Sequence, residues 1–172
     1  QVVISSKFSP QNNKYEDILR SCEKSLNRLH ADSIDIYQIH WPNPSVPLNE
    51  TIRALKFLYN EGKIKTIGMC NYSLREIKEA QKYLSEIPLS FLQMEYNLFE
   101  RTIEKNGIID YSNLNKILIL AYSPLDQGQS SVISPDRTKT LKELGKKYNK
   151  TLEQIILNFL ISRFSITVLT RT

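Results

Sequence analysis

The feature that most constrains the fold is a regular alternation of short apolar runs with longer amphipathic stretches. The short runs are rich in β-branched residues and predict strands, whereas apolar residues at helical spacing predict helices between them. The predicted strands cover residues 1–5, 34–39, 66–70, 91–94, 117–122 and 166–169. The predicted helices cover residues 15–29, 48–61, 73–84, 103–115, 136–148 and 152–162.

Strands that alternate with helices pair in parallel, because a parallel connection needs a crossover of helical length. The chain therefore belongs to the α/β class, as either a doubly wound sheet or a closed barrel, and periodicity alone leaves both open. No linker-like or low-complexity stretch interrupts it, so we expect a single domain over residues 1–172.

Composition excludes several other classes. The 172 residues are 41% hydrophobic and 24% charged, as in ordinary globular proteins, and no apolar run is long enough to span a bilayer. Two cysteines, Cys22 and Cys70, lack metal-binding spacing and lie among apolar residues, which predicts buried reduced thiols and a cytoplasmic protein. No secretory signal opens the sequence. The oligomeric state is not readable.

The net charge of +5 includes a lysine-rich stretch over residues 139–150. Nucleic-acid binding is not favoured, since the stretch has no interleaved aromatic residues and no recognised module accompanies it. We interpret it as the solvated face of a helix.

Polar side chains follow nearly every predicted strand. Ligand sites of parallel α/β folds lie at the carboxyl ends of the strands. The residues found there are Lys7, His40, Asn71, Gln93, Tyr122, Ser123, Arg171 and Thr172. A lysine and a histidine at one rim would shift each other's protonation and suit acid–base chemistry. The alternative is that loops are polar wherever they begin.

Other chemistries find no support in the motifs. The sequence has neither GxGxxG nor GxxxxGK[ST], so any dinucleotide must be held by side chains and strand-end loops. The GxSxG elbow of α/β-hydrolases is absent, and the carboxylates form no pair of the kind a glycosidase uses. No metal is implied.

Five segments, in order, resemble the aldo-keto reductases. These segments are V-I-S-S-K ending at Lys7, D-I-Y-Q-I-H-W-P containing His40, G-K-I-K-T-I-G-M-C-N-Y-S containing Asn71, Q-M-E-Y-N beginning at Gln93, and A-Y-S-P-L containing Tyr122. The resemblance implies a (β/α)8 TIM barrel, here represented by about six βα units.

The resemblance also implies roles at the matching positions. Lys7 would lower the pKa of a catalytic tyrosine, and His40 would orient the substrate carbonyl. Asn71 and Gln93 would bind the nicotinamide carboxamide beside Cys70, which stands where the family usually has Ser. Tyr122 would stack on the nicotinamide, and Trp41 would border the substrate. The residues expected near the phosphates are Ser123, Leu125, Arg171 and Thr172, and the Arg171 guanidinium favours NADPH over NADH.

The implied function is NADPH-dependent reduction of small-molecule aldehydes or ketones to alcohols. The family's catalytic aspartate and tyrosine come from strand ends before Lys7, and the sequence begins with Gln rather than Met. We therefore expect a piece of a longer protein. The alternatives are an inactive truncated form, or a non-catalytic scaffold or regulatory subunit on the same fold.

Overall fold

The structure is a computed structural model that describes residues 2–126, 135–163 and 165–170. It divides into two compact units, Gln1–Gln93 and Met94–Thr172. The prediction of one domain stays a prediction. Within the described ranges, no helix is both long and apolar enough to cross a membrane.

The first unit is a parallel sheet whose strands are joined by helices. In chain order it contains β1 (Ser5–Phe8), a 3-10 turn (Pro10–Asn12), α1 (Tyr15–Leu29), β2 (Ile34–Ile39), α2 (Leu48–Asn60), β3 (Ile64–Cys70), α3 (Leu74–Leu84) and β4 (Leu89–Glu95), which runs on into the second unit. Strand β1 pairs with β2, β2 with β3, and β3 with β4, all in parallel. The carboxyl ends of four neighbouring strands therefore lie at one edge.

Local signals in the sequence explain these elements. Helix α1 buries Ile18, Cys22 and Leu26, which share one face at helical spacing. Helix α3 begins with a complete capping box, in which Ser73 and Glu76 satisfy each other's backbone N–H groups. Every residue of β2 except Asp35 is buried, as expected for a strand covered on both faces.

The second unit contains the remaining elements. They are α4 (Thr102–Lys105), α5 (Ile108–Leu114), β5 (Leu118–Tyr122), α6 (Pro135–Tyr148), α7 (Leu152–Ile161) and β6 (Ile166–Val168). Strand β5 pairs in parallel with β6. Helix α7 also begins with a capping box, formed by Thr151 and Gln154.

Two predicted elements differ in the structure by more than one or two residues at an end. The first strand covers Ser5–Phe8 rather than residues 1–5, because its register pairs Ser5 with Ile36 and Phe8 with Ile39. Val2 and Val3 are exposed instead. The single helix predicted over residues 103–115 is two short helices, because Gly107 adopts φ 80° between them, a left-handed conformation that glycine tolerates.

Candidate active site

The carboxyl edge of the first unit carries Lys7, His40, Asn71 and Gln93. Lys7 lies within β1, one residue before its end, rather than after the strand as predicted, because β1 is shifted towards Phe8. His40 and Asn71 directly follow β2 and β3, and Gln93 lies inside β4. The structure therefore brings these four predicted residues to one edge of the sheet.

Backbone hydrogen bonds fix the neighbouring strand ends together. The His40 N–H donates to the Phe8 carbonyl over 3.2 Å, and the Asn71 N–H donates to the Gln93 carbonyl over 3.2 Å. The Asn71 side-chain amide donates to the His40 carbonyl over 3.4 Å. Since these bonds join all four strands, the residues are held by the sheet and not by independent loops.

Asn71 adopts a left-handed backbone conformation with φ 63°. Asparagine tolerates this region better than most residues because its short polar side chain bonds locally. The conformation ends β3 sharply while the side chain still reaches the β2 end. The backbone conformation therefore explains an asparagine at position 71 independently of any role in binding.

His40 is exposed at the edge, and its pKa is lowered from the ordinary histidine value. Partial burial of the imidazole is the larger cause, and the positive charge of Lys7 is the second. Both favour the neutral ring. At neutral pH, His40 can therefore donate a hydrogen bond from one ring nitrogen and accept one at the other.

Trp41 follows His40, and 45% of its surface is exposed. The two rings lie 6.5 Å apart between centroids and are tilted by 39°. The backbone carbonyl of Trp41 accepts a hydrogen bond from the Asn13 side chain over 3.4 Å. A partly exposed aromatic ring therefore lies beside the imidazole.

A buried amide that the sequence analysis did not single out lies beneath this edge. Gln38 is wholly buried in β2, and its Nε2 donates to Gln93 Oε1 over 3.2 Å and to Ser5 Oγ over 3.0 Å. A signal was available in the sequence, since glutamine is the one polar residue in the middle of Ile36–Ile39. A buried amide must find partners, so it marks a polar network inside the sheet.

Cys70 belongs to the same network. Its thiol is completely buried and donates to Gln38 Oε1 over 3.5 Å. Burial raises the pKa of the thiol to about 12, although the Lys7 charge lowers it slightly, so the S–H stays protonated. Cys70 has no exposed surface, and its thiol contacts Gln38. The place of Cys70 beside a cofactor stays a prediction.

The sequence profile of the Aldo/keto reductase family matches residues 1–171. The chain belongs to this family. As an aldo-keto reductase it is 33% identical over 168 residues to glyoxal reductase of Bacillus subtilis, an alignment that covers 98% of this chain and 57% of that protein.

Solved structures show the same relationship. A crystal structure of a thermostable aldo-keto reductase with the inhibitor epalrestat matches with a TM-score of 0.93 and 34% identity, covering 99% of this chain and 61% of that one. An aldo/keto reductase from Klebsiella pneumoniae in complex with NADP and acetate matches with a TM-score of 0.85 and 26% identity, covering 99% and 60%.

These comparisons confirm the predicted fold class. The aldo-keto reductase chain is part of a (β/α)8 barrel, and strands alternate with helices along its described residues. The chain spans less than two thirds of the length of each of these relatives.

In the second unit, the predicted residues Tyr122, Ser123 and Leu125 lie at and just beyond the carboxyl end of β5. The Ser123 carbonyl accepts hydrogen bonds from the buried Asn97 side chain over 3.2 Å and from the Asp126 N–H over 2.9 Å. Asn97, which the sequence analysis did not propose as a site residue, therefore holds the start of this loop. Arg171 and Thr172 lie outside the described residues.

Proposed function

We propose that the full-length protein is an NADPH-dependent reductase that converts aldehydes or ketones to alcohols. The observation that carries the proposal is the arrangement of Lys7, His40, Asn71 and Gln93 on four adjacent parallel strands. It places a cation, a neutral imidazole and two amides at the carboxyl edge of the sheet. Ligands of parallel α/β folds bind at this edge.

The donor set of this edge fits a nicotinamide carboxamide. Asn71 and Gln93 are joined by a backbone hydrogen bond, and each carries a side-chain amide, the same group as the carboxamide, which pairs by donating from nitrogen or accepting at oxygen. When bound, NADPH supplies the hydride that reaches the carbonyl carbon. By family resemblance we assign Cys70 to the surroundings of this group.

Family resemblance also supports the other cofactor contacts. We assign Tyr122 to the face of the nicotinamide, and Ser123 and Leu125 to the pyrophosphate region. Arg171 and Thr172 would hold the 2′-phosphate, since a guanidinium matches phosphate geometry. The neighbour from Klebsiella pneumoniae, solved with NADP, supports the choice of cofactor.

His40 and Lys7 have distinct roles in this scheme. The neutral imidazole of His40 donates a hydrogen bond to the substrate carbonyl oxygen and so orients it. The Lys7 ammonium lowers the pKa of the tyrosine phenol that the resemblance implies as proton donor. Tyr37 and Tyr15 do not fit that task, because Tyr37 is wholly buried against Phe8 and Tyr15 lies under the Arg53 guanidinium.

The substrate class is small carbonyl compounds. The name of the Bacillus subtilis relative, glyoxal reductase, supports a reactive aldehyde as the first compound to test. The exposed ring of Trp41, beside His40, would border it. We also propose a single domain working in the cytoplasm, where the buried thiols of Cys22 and Cys70 stay reduced.

The deciding experiment follows NADPH oxidation by the full-length protein with glyoxal and with an aromatic aldehyde. We expect turnover, and we expect Lys7→Met to lower kcat/KM by about a hundredfold or more, as for loss of acid–base assistance. The matched control is Lys82→Met, which removes an exposed lysine from the last turn of α3 and should leave the rate unchanged.

Two results would count against the proposal. Cofactor binding without turnover of any carbonyl compound would favour a scaffold or regulatory subunit. A Lys7→Met enzyme as active as the Lys82→Met control would remove Lys7 from the chemistry.

A further inference from the structure

Gln38 is the centre of a hydrogen-bond network that joins all four strands of the first unit. Its Nε2 donates to Ser5 on β1 over 3.0 Å and to Gln93 on β4 over 3.2 Å, and its Oε1 accepts from Cys70 on β3 over 3.5 Å. No surface of Gln38 is exposed. Each side-chain polar atom of this buried amide therefore has a partner, as burial requires.

The network has a defined direction. The protonated Cys70 thiol donates, so it selects the oxygen of the Gln38 amide as its partner. The nitrogen of that amide then points to Gln93 and meets its oxygen. The oxygen and nitrogen of an amide lie about 120° apart on one carbon. When the Gln38 oxygen accepts from Cys70, its nitrogen is therefore directed away from Cys70.

The backbone leaves room for this arrangement at one point. Gly68 on β3 stands opposite Gln38 in the strand register, and a Cβ atom built there would lie 2.8 Å from Gln38 Cγ. Any larger residue would push the Gln38 side chain out of its place. The glycine and the glutamine thus form one structural feature across two strands.

We propose that Gln38 is a positioning residue that holds the Gln93 amide with its oxygen towards β2 and its nitrogen ready to donate to the carboxamide oxygen of the nicotinamide. The proposal rests on the cofactor role of Gln93 proposed above. Gln38 acts only through Gln93 and touches no ligand, since it is wholly buried.

The test measures two affinities of the full-length protein by calorimetry. One ligand is NADP+, and the other is 2′-phospho-ADP-ribose, which lacks the nicotinamide. Gln38→Met fills the same space without hydrogen-bonding groups and should weaken NADP+ about tenfold, the loss of one well-placed hydrogen bond. The affinity for 2′-phospho-ADP-ribose should change by less than about twofold, because this ligand lacks the nicotinamide that Gln93 would bind.

A double variant distinguishes positioning from a direct effect. If Gln38 acts through Gln93, then Gln38→Met added to Gln93→Met should weaken NADP+ no further than Gln93→Met alone.

The matched control is Tyr37→Phe, the adjacent buried residue on β2, whose hydroxyl has no hydrogen-bond partner among the described residues. It should change neither affinity. Equal weakening of both ligands by Gln38→Met, unchanged NADP+ binding, or additive losses in the double variant would each overturn the positioning role. A wild-type protein that binds no NADP+ would overturn the proposed function itself, and this inference with it.

Discussion

His40 and Lys7 form an electrostatic pair whose effect is measurable on the imidazole itself. The Lys7 charge and partial burial both lower the pKa of His40. A positive neighbour disfavours the protonated ring, so Lys7→Met should raise the pKa of His40 towards the ordinary value of about 6.5. Titration of the His40 ring signals by NMR in the full-length protein checks this.

The direction in which the His40 pKa changes decides whether the Lys7 ammonium lies close to the imidazole. Removing Lys82 in the same way should leave the His40 titration where it is, since Lys82 lies on α3 and does not contribute to the His40 pKa. A His40 pKa that falls, or does not move, in Lys7→Met would show that the ammonium lies away from the imidazole.

The individual site residues were predictable to different degrees. Lys7, His40 and Asn71 were found because each follows an apolar run, and strand ends of parallel sheets converge whatever the details of packing. Gln38 was missed because it lies inside such a run and its partners come from three other strands. Its hydrogen bonds depend on the register between strands, which local sequence does not specify.

At the scale of elements, the contact between β2 and β3 depends on Gly68. Gly68→Ala should reduce the free energy of unfolding by about 1–3 kcal/mol, the usual cost of overpacking a filled interior, because the new methyl group meets Gln38. Chemical denaturation measures the change. Shortening the opposing side chain should restore part of it, so Gly68→Ala in a Gln38→Ala background should cost less than in the wild type.

Equal costs of Gly68→Ala in the two backgrounds would contradict a clash between the new methyl group and Gln38. That result would mean that the glycine is needed for some reason other than room for the Gln38 side chain.

The starts of the capped helices α3 and α7 were predicted better than the first strand. Ser73 and Thr151 start their helices through side-chain bonds within one turn, so the starts of α3 and α7 are as predicted. The first strand has no such local signal. The run from Val2 to Ile4 looks like a strand by composition, but pairing with β2 selects Ser5–Phe8. Pairing between distant segments therefore overrode local preference.

At the scale of the whole molecule, the alternation of strands and helices established an α/β fold but left a doubly wound sheet and a barrel open. The family resemblance resolved this choice, and the match to a solved aldo-keto reductase with a TM-score of 0.93 confirms the barrel. The substrate was not predictable from the sequence pattern, because binding residues of folds are commonly on loops, whose shape such a pattern does not describe.

A crystal structure of the full-length protein with NADP+ would show whether the carboxyl ends of β1 to β4 hold the nicotinamide. We expect the nicotinamide carboxamide to lie within hydrogen-bonding distance of the Asn71 and Gln93 side chains, with Gln93 Nε2 donating to the carboxamide oxygen and with His40 and Lys7 at the same edge of the sheet. A nicotinamide ring bound away from the carboxyl ends of β1 to β4 would contradict this expectation.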